Sequence, residues 1–275
     1  MNQPTADDPL ARLRAATQAR IGLGRAGHAM PTRACLDFDL GHAHARDAVW
    51  TPLDTDAVTA RAGNWPVIVV RSQAPDRATY LRRPDLGREL AGEVDLPPGP
   101  FDLSIIIGDG LSARAAQAHG AALALDLRHR LPGWSLAPLV LAQQARVALG
   151  DPIAAAMGAR FALMLIGERP GLSAADSLGA YLTINPRPGR MDSERNCVSN
   201  IRPPHGLSIA QAGEKLTWLL TEGRRIGATG IALKDAAPIK DRPHVHHQSH
   251  AVDPARPTAG QAVAGRDSDN GPFPS

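Results

Sequence analysis

Three short stretches carry side chains whose type and spacing could do chemistry. In IIIGDGLSARA, Asp109 lies between Gly108 and Gly110, and Ser112 follows at the point where a helix could begin. The glycines allow a tight backbone turn. A Ser at the cap position leaves the next amides pointing towards a ligand face. The spacing is neither GxGxxG nor a Walker loop, so the stretch reads equally as an anion or ligand turn and as an ordinary strand-to-helix connection. In MLIGERPGLSAADSLGAYL, Glu168 comes directly after an apolar run, a place where packing alone seldom needs a carboxylate. Ser173, Ala174, Ala175, Ser177, Gly179 and Ala180 follow with little bulk. Such a surface suits close approach by a large flat partner, and it equally suits a crowded packing site. In NPRPGRMDSERNCVSNIRPPHG, Pro-containing turns frame Cys197, Ser199 and Asn200, with Arg187, Arg190, Arg195 and Arg202 nearby.

These residues look suited to holding a ligand rather than transforming one. GxSxG, HExxH and CxxC are all absent. Cys197 has His205 in the same stretch but no third group that would orient the pair, as nucleophilic catalysis requires. The cluster HVHHQSH could bind a metal adventitiously, yet no Cys or carboxylate accompanies it to make a specific site. No catalytic residue and no resident protein metal site is assigned.

The loops must be held by buried elements. VIVVRS (67–72), Leu103–Ile107, LAPLVLA (136–142) and FALMLI (161–166) are continuous apolar runs of the kind buried on both faces of a parallel sheet. GIALK could close the sheet. Helical stretches alternate with these runs: SARAAQAHGAALALDLRHRL, a helix capped by Asp151-Pro152, and SIAQAGEKLTWLLTEGRRIG, whose Ser208 and Gln211 form a capping box. The alternation predicts an α/β fold with a Rossmann-like, doubly wound and mostly parallel sheet, its ligands beyond the carboxyl ends of the strands. The first third reads as helical, with Asp8-Pro9 starting one helix that ends at Gly22 and Gly24, TRACLDFDLGHAHARDAVW giving a second, and LDTDAVTARAG a third. The expected organisation is a mainly helical domain over 1–95, an α/β domain over 96–235 and a disordered tail over 236–275, where Pro, Gly and polar residues dominate.

Composition narrows the function further. Among 275 residues, 43% are apolar and 4% aromatic, so the core must be aliphatic. The net charge of +3 comes from 30 basic and 27 acidic residues, without a basic run interleaved with aromatics, which argues against nucleic acid as a partner. The excess of Arg over Lys fits either genomic base composition or bidentate recognition of carboxylate and phosphate. No apolar stretch is long enough to span a bilayer, no secretory signal is evident, and two distant cysteines suit a reducing compartment.

At these residues the chain resembles the small (light) subunit family of ethanolamine ammonia-lyase. RIGLGRAGHAMPTRACLDF, LRRPDLGREL, IIGDGLSARA, ARVALGD, LIGERPGLSAADSLGAYLT, PRPGRMDSERNCVSNIRP and GIALKD occur in the family's order across about residues 12 to 235. The resemblance implies a lyase that converts ethanolamine to acetaldehyde and ammonia with adenosylcobalamin. A large TIM-barrel subunit would perform the chemistry, and the small subunit would cover the other side of the corrin in a hetero-oligomer with several copies of each. By motif, the cofactor-contacting positions fall on Val147, Glu168 and Cys197, where Ala145 replaces the family's Gly and Val198 its Ile. Glu168 would accept hydrogen bonds from the corrin's amide arms, Val147 would give an apolar or backbone contact, and Cys197 would pack as a neutral side chain. Asp109, Gly110 and Ser112 join the set from the loop argument alone.

DxHxxG, the motif whose His replaces the lower base of cobalamin in some mutases, is absent, so the cofactor is expected base-on. Long-form members carry an N-terminal extension used for microcompartment packaging. Here GRAG ends at Gly27, which suggests a cytoplasmic enzyme, with a bacterial microcompartment as the alternative. The competing function is a stand-alone α/β enzyme binding a nucleotide or sugar phosphate at GDGLS.

Overall fold

The computed structural model describes residues 10–92 and 94–236. The expected Asp8-Pro9 cap, the HVHHQSH cluster and all but the first residue of the expected tail lie outside them. Four parallel strands make the centre of the fold: β1 (Val67–Arg71), β2 (Leu103–Gly108), β3 (Leu139–Gln143) and β4 (Phe161–Gly167), in the order β1-β3-β2-β4. Every residue of β2 and β4 is buried, as their unbroken apolar character requires. Alternate side chains go to opposite faces. Ile105, Ile107, Leu139, Leu141, Leu163 and Leu165 join one apolar cluster, while Ile106, Val140, Ala142 and Met164 join the other.

Helices cover both faces. Against the first lie α3 (Thr55–Ala62), α6 (Ala121–Arg130) and α8 (Ile209–Ile226), which contribute Val58, Leu123, Leu127, Leu216 and Leu220. Against the second lies α7 (Gly150–Ala156), through Ile153 and Ala154. α6 continues from a short helix, α5 (Ala113–Ala115), through a π-helical turn at Ala116–Gly120. The predicted capping box of α8 is present: Gln211 N–H donates to Ser208 Oγ at 3.2 Å, and Ser208 N–H to Gln211 Oε1 at 2.9 Å. Upstream, α1 (Ala11–Ala16) and α2 (Thr32–Trp50) precede α3, and α4 (Arg77–Arg82) follows β1 and ends before Pro84. Because α3 and β1 enter the same core, the sheet domain takes in residues well before 95.

The fold is α/β and the sheet is mixed, with three of its five strand pairings parallel and two antiparallel. β5 (Leu178–Ile184) pairs antiparallel with β4, and β6 (Asn196–Ile201) antiparallel with β5. The connections, 168–177 and 185–195, carry no crossover helix, and consecutive strands joined that way run antiparallel. The stretch read as loops is therefore a pair of strands. GIALK also departs from expectation: Gly230–Ala232 is a 3₁₀ turn. The Asn196 side chain satisfies its backbone, accepting from Gly230 N–H and donating to Leu233 O, each at 2.8 Å. Those are bonds a neighbouring strand would otherwise make. α1 ends at Thr17, before Ile21, and buries none of its residues. Asp151 sits inside the first turn of α7, and its carboxylate turns to Arg195 instead of capping the helix.

Candidate functional site

The carboxyl ends of β2, β3 and β4 bring three of the sequence-predicted residues together. Gly110 follows β2, Val147 begins the 3₁₀ turn Val147–Leu149 after β3, and Glu168 follows β4. All three line one concavity of about 450 Å³ with Tyr80, Arg146 and Tyr181. A second concavity, about 700 Å³, adjoins it and shares Arg146, Val147 and Tyr181. Its far wall is the Pro188–Asp192 segment. Val147 thus stands between two open depressions on one face. Cys197 lines neither, but it pairs with Tyr181 across β5 and β6.

The loop ends are pressed together through backbone. Leu111 N–H donates to Gly167 O at 2.9 Å. Gly110 has φ +55°, and a Cβ there would fall 2.2 Å from Gly167 O; at Gly167 it would fall 2.0 Å from Ser112 O. Neither site can accept a side chain without displacing the loop. Asp109 is buried and faces inward. Its oxygens accept from Gln144 N–H and Ala145 N–H, each at 2.8 Å, and it lies 3.5 Å from the Arg77 guanidinium. It latches the turn after β2 to the turn after β3. Ser112 caps α5, accepting from Ala115 N–H at 3.3 Å, and donates to Ala175 O at 2.6 Å. Asp109 and Ser112 therefore spend their polar atoms on positioning, and neither lines a concavity. Three amides of the turn, those of Leu111, Ser112 and Ala115, already have partners.

Glu168 is half-buried. Its Oε2 accepts from Ser177 Oγ at 2.6 Å and Asn200 N–H at 3.3 Å. Oε1 lies over Gly179, where a Cβ would come within 3.0 Å of it. The carboxylate is held at the junction of β4, β5 and β6 with accepting capacity left over. Desolvation pushes the Cys197 thiol above its ordinary range; the Tyr181 contact opposes this and the Glu168 charge adds to it. The thiol stays protonated at neutral pH, and a protonated thiol is a poor nucleophile. Both cysteines are free thiols. Among the described residues, no group of three His, Cys, Asp or Glu could hold a metal.

The small residues after Glu168 serve packing, because backbone is approached there from three sides. Ser112 bonds Ala175 O, Arg202 donates to Ser173 O at 2.7 Å, and Leu172 O lies where a Cβ on Gly41 of α2 would come within 2.8 Å. The arginines near Cys197 are mostly committed internally. Arg195 holds Asp151 and Thr183, Arg190 holds Glu194, and Arg202 reaches Gln18. Sequence reasoning missed Tyr80, Tyr181 and Arg146. One signal could have found the tyrosines: the chain has only two, and both line the smaller concavity.

No helix among the described residues is long and apolar enough to cross a membrane. The sequence profile of the ethanolamine ammonia-lyase light chain matches residues 7–234. Similar curated proteins include the ethanolamine ammonia-lyase small subunit of Bradyrhizobium diazoefficiens, 53% identical over 82% of this chain and 90% of that protein. That of Rhodococcus erythropolis is 49% identical over 82% and 89%. That of Azotobacter vinelandii is 48% identical over 86% and 92%. With the family profile matching residues 7–234 and most of both lengths covered at about half identity, this chain belongs to the ethanolamine ammonia-lyase light-chain (small-subunit) family.

Proposed function

We propose that this chain is the small subunit of an adenosylcobalamin-dependent ethanolamine ammonia-lyase, holding the base-on cofactor against a large catalytic subunit that converts ethanolamine to acetaldehyde and ammonia. One observation carries the reading: Val147 and Glu168 meet at the carboxyl ends of β3 and β4 around an open double depression, which Tyr181, the cross-strand partner of Cys197, also lines. A groove open on one side suits a broad ligand that a second protein encloses. The residues fit a corrinoid rim, which carries neutral amide arms. Glu168 supplies an ordered acceptor above a Cβ-less Gly179, and Cys197 supplies a neutral polar edge.

When bound, adenosylcobalamin supplies the radical by homolysis of its cobalt–carbon bond, while the protein supplies position and electrostatics. In this chain Glu168 would orient amide donors, Val147 would exclude water from an apolar contact, and Asp109, Gly110 and Ser112 would hold the loops at fixed spacing. A partner surface is also to hand. On α2, Leu36 and Leu40 lie one turn apart with 62% and 56% of their area exposed. Apolar residues grouped this way mark interaction sites. The expected location is the cytoplasm, with a bacterial microcompartment as the alternative.

The test is co-expression with a large subunit, followed by the absorption spectrum of bound cobalamin and an ammonia assay. Glu168→Ala should lower cobalamin retention while leaving co-purification of the subunits intact. Equal loss of both would make Glu168 a structural residue. Paramagnetic resonance of the reduced cobalt with isotopically labelled histidine should show no coupling to protein nitrogen; a histidine splitting would refute base-on binding.

A further inference from the structure

Among the described residues, Arg146 stands in this groove without a counter-charge. Arg146 precedes Val147 and lines both concavities. Its guanidinium lies 4.2 Å from the centroid of the Tyr80 ring, and Arg77 stacks on the same ring at 4.6 Å. The two differ in what they hold. Arg77 donates to Val49 O, Gln144 and the Asp109 carboxylate, although its buried Nη2 has no partner. Among the described residues Arg146 has no carboxylate partner: its one side-chain bond there is Nη2 to Tyr80 O at 3.3 Å, and its buried Nε has none. The residue is nonetheless fixed. Its backbone N–H donates to Gly87 O at 2.8 Å, and its stem crosses Gly87 so closely that a Cβ there would fall 2.8 Å from Arg146 Cγ. Arg88, which follows Gly87 in sequence, is exposed, lines the larger concavity and makes no ion pair among the described residues. Glu89 and Asp192 reach that wall too, but both are exposed.

A guanidinium ordered by stacking loses little entropy when a ligand binds, and its planar fork matches a phosphate in two-point contact. Cobalamin carries one anionic group, the phosphodiester that joins the corrin to its nucleotide tail; its amide arms are neutral. We infer that Arg146, with Arg88 beside it, is the phosphodiester-binding subsite of the groove, and that Gly87 in the LRRPDLGREL stretch is glycine to let Arg146 lie across it. This inference rests on the cobalamin reading above.

The test compares two corrinoids on the assembled complex: cobalamin, and cobinamide, which lacks the phosphodiester and tail. Binding is measured by equilibrium dialysis, without turnover. Arg146→Met should weaken cobalamin by about ten- to a hundredfold, the range for losing a charged hydrogen-bonding partner, and leave cobinamide unchanged. Arg146→Lys, which keeps the charge but not the fork, should fall between. Cobinamide is the folding control, because a disrupted groove would lose both. Arg146→Met weakening both alike, or neither, overturns the subsite. A wild-type complex that takes up neither corrinoid overturns the cobalamin reading itself, and the subsite with it.

Discussion

The buried pair Asp151–Arg195 offers the sharpest perturbation of the site's framework. Arg195 Nη1 and Nη2 contact the two Asp151 oxygens at 2.8 and 2.6 Å, Nη1 also reaches Thr183 Oγ1 at 2.7 Å, and Nη2 donates to Arg190 O at 3.0 Å. Both side chains are within 3% of fully buried. The pair ties α7 to the start of β6 and to the segment that walls the larger concavity. Asp151→Ala would leave a buried guanidinium without its partner, a change that costs about 3–5 kcal/mol. Arg195 keeps Thr183, Arg190 O and a solvent-exposed Asp192 at 3.5 Å, which places the loss at the low end, about 3 kcal/mol. For a domain of this size that is a fall in melting temperature of about 6–12 °C. The double variant Asp151→Leu/Arg195→Met removes both charges and should be less destabilised than Asp151→Ala, since an apolar pair can replace a buried ion pair at little net cost. Thermal unfolding of the three proteins followed by circular dichroism reads this directly. A fall of less than about 2 °C in Asp151→Ala, or a double variant worse than the single, would refute the reasoning.

Two other outcomes are expected. Gly167→Ala should abolish cobalamin retention, because its Cβ would meet Ser112 O at 2.0 Å; retention at the wild-type level would show that the β2 and β4 loops can separate freely. His119, in the π-helical turn, has its pKa lowered by burial, against the opposing pull of Asp176 at 3.9 Å, with the Arg202 charge lowering it further. The unfolded chain therefore takes up that proton first, so stability is full above the usual His value and declines as pH falls through the folded one. Between about pH 7 and pH 5, wild type should lose more melting temperature than His119→Gln; parallel curves would mean that His119 does not titrate differently on folding.

How much of this was written in the sequence depends on where each hydrogen bond closes. Helix α2 and the capping box of α8 were legible because helical bonds and caps join residues within four positions. The interior strands β2 and β4 were legible because burial on both faces leaves an unbroken apolar run. Glu168 could be placed for the same reason, since it follows such a run and the sheet puts its loop at the ligand end, whereas Val147 came from the family's motif alone. The family's motifs placed Cys197 without showing what surrounds it.

The rest was decided by contacts distant in the chain. β5 and β6 carry Gly179, Ser199 and Asn200, weak strand formers that pair only because β4 presents an edge to them. Asp109 looked like a ligand group until its oxygens met the amides of Gln144 and Ala145, 35 and 36 positions away. The arginines show it most clearly. Sequence supplied many guanidinium groups of equal charge, and only the tertiary structure paired Arg195 with Asp151 and Arg77 with Asp109 while leaving Arg146 stacked and unpaired beside the groove. Residue type fixes what a group can bind, but what remains free to bind a ligand is settled by which neighbours the fold has already brought to it.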